Sequence, residues 1–133
     1  MTNNDIIALY ETLNRISENT DLKFDVTLGY IFAKNKAKLK TEATLIYNMR
    51  QEILMEYGKI EGNEIIVDKD KIDEVNEKIT ELAELENDVS IMTIELNQLE
   101  PYKLSIEDIE GLMPMINPVL FTGPPILEEK TDD

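Results

Sequence analysis

Cysteine, histidine and tryptophan are all missing from this 133-residue chain. Without cysteine there is neither a disulfide nor a thiolate nucleophile, and the composition is compatible with a reducing compartment. Without histidine the usual proton-transfer group at neutral pH and the usual nitrogen metal ligand are gone. The 5 glycines, Gly29, Gly58, Gly62, Gly111 and Gly123, are isolated from one another, so no phosphate-cradling loop or nucleophile elbow can be built from them. Aromatic residues are only 6% of the chain, which leaves paired carboxylates without the stacking walls of a sugar-cleaving cleft. No stretch approaches the roughly 18 apolar residues of a membrane span, and the opening Met1-Thr2-Asn3-Asn4-Asp5 has no basic segment followed by an apolar run. A soluble, unexported, non-enzymatic protein is expected, with no catalytic residue, no cofactor and no metal.

What is abundant is negative charge, and it is segregated. The net charge is −15, yet the first 58 residues carry 8 acidic and 7 basic side chains, while residues 59–133 carry 20 acidic and 6 basic. A chain of pI near 4.3 repels phosphate backbones, so direct nucleic-acid binding is not expected. The local basic run Lys34, Lys36, Lys38 and Lys40 has no interleaved aromatic for base stacking and reads as a solvated helix face. An acidic surface can instead imitate nucleic acid and occupy a basic groove on another protein.

A length near that of one domain, with 42% hydrophobic residues, is enough for a single core. Asn3 or Asn4 is placed to cap a first helix over 4–18, in which Ile6, Leu9, Tyr10, Leu13 and Ile16 repeat every three or four residues. Leu22, Phe24, Val26 and Leu28 then alternate with polar residues, the period of a short strand over 22–28. From 30 to 57 no Gly or Pro intervenes, and Ile31, Leu39, Ala43, Ile46, Met49, Ile53 and Tyr57 keep helical spacing up to a C-cap at Gly58. Two β-branched stretches around Gly62-Asn63 predict a hairpin over 59–67. Asp68 or Asp70 would cap a third helix over 70–86, whose Ile72, Val75, Ile79 and Leu82 form one apolar stripe. Asp68-Lys69-Asp70 superficially resembles a calcium loop, but Asp73 and Ile79 stand where such a loop needs Gly and Glu. Residues 89–96, rich in Ile, Val, Thr and Met, predict a second strand able to pair with 22–28. Ser105 with Asp108 three residues on is a variant capping box for a short helix over 106–113, stopped by Pro114.

The expected fold is therefore α+β: one mostly helical domain over 1–116 with a small, mainly antiparallel sheet, then a Pro-rich apolar and acidic tail over 117–133, partly disordered. Two surfaces are candidates for a partner. Asp73, Glu77, Glu81 and Glu84 lie on the outer face of the third helix. Phe121 sits in the apolar stretch Val119-Leu120-Phe121 of the tail, and large apolar side chains cost roughly 1.5–3 kcal/mol each when left in water.

The order of these elements resembles that of small acidic proteins of unassigned activity encoded by phages and prophages of Gram-positive bacteria. The residues that carry the resemblance are Leu9-Tyr10-Glu11-Thr12-Leu13-Asn14, Tyr30-Ile31-Phe32-Ala33-Lys34-Asn35-Lys36, Ile46 to Gly58 with Arg50, Leu54, Glu56 and Tyr57, the strand-like 89–96, and Leu104 to Leu112. It implies a viral origin and no catalytic residues. The resulting expectation is a phage-encoded binding protein in the host bacterial cytoplasm, acting on a host or phage protein with no membrane involved. An inhibitor of host defence fits this. The competing expectation is a virion or assembly accessory that forms homo-oligomers or chaperones a structural protein through the long helix and the tail.

Overall fold

The computed structural model describes residues 1–117, which form a mostly helical α+β domain around one hydrophobic core. Helix α1 spans Asn3–Glu18 and is capped by Thr2 rather than by Asn3 or Asn4. The Thr2 hydroxyl accepts from Asp5 N–H at 3.2 Å while Thr2 N–H donates to the Asp5 carboxylate at 2.9 Å, a reciprocal box that Asp5 completes from the third helical position. Asn3 has a different task. Its backbone N–H donates to Leu85 O and its Nδ2 to Leu82 O, both at 2.9 Å, the latter beside the longer 3.4 Å bond from Leu85 N–H, so α1 helps to satisfy the carbonyls at the end of another helix. Ile6, Leu9, Leu13 and Ile16 are buried as the spacing predicts, joined by Thr12, whose hydroxyl is satisfied by Ala8 O.

The strand expected over 22–28 does not form. Asp25 caps a helix instead, accepting from Leu28 N–H at 2.8 Å, and α2 runs from Val26–Tyr57. The alternation was misleading because its members have unrelated environments: Leu22 and Phe24 fold over the core, Val26 is 89% exposed and Leu28 is fully buried. At 32 residues, α2 is about 48 Å long at 1.5 Å per residue. Leu28, Ile31, Phe32, Asn35, Leu39, Ala43 and Ile46 make its buried stripe, and no residue of α2 beyond Ile46 is fully buried. The last three turns therefore carry no buried residue, although Ile53 still packs against the core.

They end in the expected hairpin, β1 (Gly58–Glu61) and β2 (Glu64–Val67), with Ile60 opposite Ile65 and Glu61 opposite Glu64. The two-residue turn needs Gly62 at φ +64°, a left-handed conformation that β-carbons disfavour. Gly58 is no left-handed cap, since its φ is −131°. Glycine is required there by crowding: a Cβ would lie 2.7 Å from Ile66 O. A 3₁₀ turn over Lys69–Lys71 leads into α3, Ile72–Glu84. Neither Asp68 nor Asp70 caps it through its side chain, because the 3₁₀ turn has already set the backbone by way of Lys71 N–H to Asp68 O. Val75 and Leu82 are its buried contacts.

Residues 89–96 are the second correction. They join no sheet; a single parallel bridge links Ile94 to Ile116, and Leu96–Leu99 is a 3₁₀ turn. With 22–25 outside any strand and α2 beginning at Val26, the partner assumed for them does not exist. Helix α4, Ile106–Leu112, starts at Ser105, whose hydroxyl accepts from Asp108 N–H at 3.0 Å. Only half of the predicted box is present, as the Asp108 carboxylate turns to Arg15 of α1, 2.9 Å away. A 3₁₀ turn over Met113–Met115 follows and brings Met115 into the core. The tail and Phe121 lie outside the described residues.

Candidate functional site

Helix periodicity places Asp73, Glu77 and Glu81 in one row at i, i+4, i+8, with Glu84 three residues further on the same face. All four are exposed and, with Asn76 and Thr80 between them, line a shallow depression of about 610 Å³. Among the described residues none of the four makes an ion pair or a hydrogen bond. The one cation of α3, Lys78, is three residues before Glu81 but makes no ion pair with it among the described residues; its Nζ lies 5.7 Å from the centroid of the Tyr57 ring. Tyr57 donates to Glu74 at 2.9 Å. That contact with the carboxylate raises the tyrosine above its ordinary pKa, and the tyrosine in turn raises Lys78. The basic residue is thus engaged with α2 and leaves the acidic row uncompensated.

Such a row does not help the helix. Like charges at i, i+4 destabilise by about 0.2–0.5 kcal/mol per pair, and the acids of the last turn, Glu81 and Glu84, meet the negative end of the helix dipole. Asp73 and Glu74 at the first turn are favourably placed. The half of α3 nearest its C-terminus therefore carries charge at a cost to its own stability.

The lysine run is no patch. Lys34 and Lys38 fall on one flank of the buried stripe of α2, Lys36 and Lys40 on the other, because two-residue steps turn the helix by about 200°. Lys36 Nζ donates to Ser17 Oγ at 2.9 Å, Lys38 Nζ to Ser90 O at 2.7 Å, and Lys34 Nζ to the Tyr30 hydroxyl at 3.2 Å. Beside Lys36 an apolar groove of about 220 Å³ opens between α1 and α2, walled by Leu13, Ile16, Phe24 and Phe32.

One residue that composition did not single out organises the region behind α3. Asn35 is fully buried in the apolar stripe of α2. Its Oδ1 accepts from Met92 N–H at 2.9 Å and its Nδ2 donates to Met92 O at 2.8 Å, so the amide imitates a neighbouring strand. Ile94, two residues on, makes the matching pair with backbone: its N–H donates to Met115 O at 2.8 Å and its carbonyl accepts from Asn117 N–H at 2.7 Å. Further along α2, Asn87 Nδ2 donates to Glu42 Oε1 at 3.1 Å. These bonds fasten the chain that leaves α3 along the flank of the long helix. The sequence did carry a signal, since an amide four residues after Ile31 and four before Leu39 lies in a stripe that is otherwise apolar.

Among the described residues no group of three carboxylate, histidine or cysteine side chains is close enough to hold a metal ion, and no helix is long and apolar enough to cross a membrane. No protein-family model matches the chain, and neither a curated protein nor a solved structure shows significant similarity to it.

Proposed function

We propose that the protein is a non-catalytic binding module whose α3 face engages a basic surface on another protein, acting as an inhibitor of a nucleic-acid-binding or defence protein. The carrying observation is that Asp73, Glu77, Glu81 and Glu84 share one exposed face and, among the described residues, no cation forms an ion pair with them. Four carboxylates spaced along a rigid helix present a regular line of negative charge, which suits a groove lined by Lys and Arg that ordinarily takes a phosphate backbone. The resemblance of the segments 9–14, 30–36, 46–58 and 104–112 to those of small acidic phage proteins supports a viral origin and action in the bacterial cytoplasm.

The test is capture of partners from bacterial extract by the tagged protein, washed at low and at high salt, beside the variant Asp73→Asn/Glu77→Gln/Glu81→Gln/Glu84→Gln. A partner held at low salt, released at high salt and lost by the variant is the expected result, because exposed ion pairs are screened beyond a Debye length. Retention indifferent to both ionic strength and the four substitutions would sink the reading.

A second reading has its own observation. On α2, Leu45 on the outer side of the core segment and Met49 and Met55 in the last three turns are exposed by 55%, 42% and 49%. Those residues, with the tail, would serve an assembly accessory that self-associates or holds a structural protein. Concentration-dependent association abolished by Leu45→Glu/Met49→Glu is its expected mark.

A further inference from the structure

The segment held by Asn35 has a second edge. In an extended chain the N–H and C=O of residues two apart point the same way. Met92 and Ile94 turn theirs inward, to Asn35 and to residues 115–117. Ile91 and Thr93 must turn theirs outward, and among the described residues neither backbone N–H nor C=O of either makes a hydrogen bond. Thr93 is exposed, Met92 is 37% exposed and Ile91 is half-buried against the core. Natural proteins blunt such an edge with Lys, Pro, a bulge or a covering element. Among the described residues none is present: Val89-Ser90-Ile91-Met92-Thr93-Ile94 is uncharged and rich in β-branched residues, and Lys38 beside it is committed to Ser90 O.

The ends of the edge are acidic. Glu86, its side chain 81% exposed, and Asp88 precede it, and exposed Glu95 follows it. Glu81 and Glu84 of α3 lead along the chain to Glu86 and Asp88. A second copy is a poor occupant, because antiparallel pairing of two such edges would gather carboxylates of both copies, Asp88 of one and Glu95 of the other, at each end of the paired segment. We propose that residues 89–93 are the docking edge for an extended, basic segment of a partner protein, which adds as a strand through the N–H and C=O groups of Ile91 and Thr93. The positive charge of that segment rests on the functional reading above; the backbone pairing does not.

The probe is a synthetic peptide of alternating Val and Thr with Lys at both ends, added to the full chain labelled for amide hydrogen exchange. Expected are saturable binding, slowing of exchange at Ile91 and Thr93 by at least about tenfold, and loss of at least about tenfold in affinity when alternate peptide amides are N-methylated. Thr93→Pro, which deletes an unused N–H, should abolish binding. Should that variant fail to fold, the N-methylated peptide decides alone. Binding that ignores N-methylation, or no binding, overturns the strand edge. Equal binding of a Glu-ended peptide overturns the charge complementarity, and with it the acidic partner logic rather than the edge geometry. Protection of Ile91 and Thr93 without any peptide also refutes the proposal: if it grows with protein concentration the occupant is a second copy, and if it vanishes on deletion of residues 118–133 it is the chain's own tail.

Discussion

Replacing Asn35 with Ala should be the most informative single change in this protein. The side chain is fully buried and its two strong hydrogen bonds both go to Met92, at 2.8 and 2.9 Å. Truncation leaves one N–H and one C=O without partners. A buried unsatisfied group costs about 1–3 kcal/mol, and because Met92 is 37% exposed, water can reach part of its backbone, so the lower end applies to each. With a small void where the amide stood, the expected loss is about 2–3 kcal/mol, a large share of the roughly 5–15 kcal/mol that holds a domain together. Urea unfolding followed by circular dichroism reads this as a lowered midpoint, and amide exchange should show the loss concentrated at Met92 and Ile94. Asn35→Asp adds a check of sign. The carboxylate keeps an acceptor for Met92 N–H but faces Met92 O with a second acceptor, so burial favours the protonated form and the folded pKa rises above the unfolded value near 3.9. The variant should therefore match or exceed the stability of Asn35→Ala below that unfolded value and lose ground to it as pH rises toward the folded pKa. A cost below about 0.5 kcal/mol for Asn35→Ala, or unchanged protection at Met92, would refute the role given to this amide.

Further outcomes follow from other contacts. Gly111→Ala drives a Cβ into the side chain of Thr12, 2.8 Å from its Cγ2, and should cost about 1–3 kcal/mol, recovered in good part by adding Thr12→Ala; thermal melts of the single and double variants decide this. Glu81→Gln/Glu84→Gln should stabilise the protein by about 0.5–1 kcal/mol at low ionic strength, and the gain should shrink in high salt, since it removes repulsion and an unfavourable dipole contact. Loss of stability on neutralisation would mean that the row has an intramolecular partner. Burial and the hydrogen bond to Glu11 at 3.0 Å raise the pKa of Tyr47 above its ordinary 10.0. The linked stability is present below the unfolded value and is lost as pH rises through the folded one, so alkaline spectrophotometric titration should show late-ionising tyrosines, one of which is lost in Tyr47→Phe while Tyr57 remains.

Much of this architecture was legible from local pattern. Helix α1 follows from Ile6, Leu9, Leu13 and Ile16 at 3/4 spacing, and the hairpin from Gly62-Asn63, whose left-handed turn residue is a local chemical requirement. The acidic face of α3 was equally legible, because a helix turns every residue by a set angle whatever surrounds it. The failures have one cause. Residues 22–28 and 89–96 each had the composition or period of a strand, but a strand needs a neighbour to take its N–H and C=O groups, and no local rule names that neighbour. For 22–28 the cap at Asp25 won, converting the second half into the start of α2. For 89–96 the neighbour turned out to be a side chain, Asn35, together with residues 115–117.

Quantities that depend on one residue and its near neighbours follow from local sequence: the charge imbalance, the helix faces, the hairpin turn and the absence of thiol and imidazole chemistry. Tertiary structure decided how long-range hydrogen bonds are satisfied. It chose Thr2 over Asn3 as the first cap and freed Asn3 to close the end of α3 through Leu82 and Leu85. It drew Asp108 away from its own helix to Arg15, and it left the outer edge at Ile91 and Thr93 without partners among the described residues. Side-chain periodicity is set by backbone geometry alone, whereas the pairing of buried donors and acceptors is a property of the whole packed chain, in which residues 57 positions apart compete for the same bond.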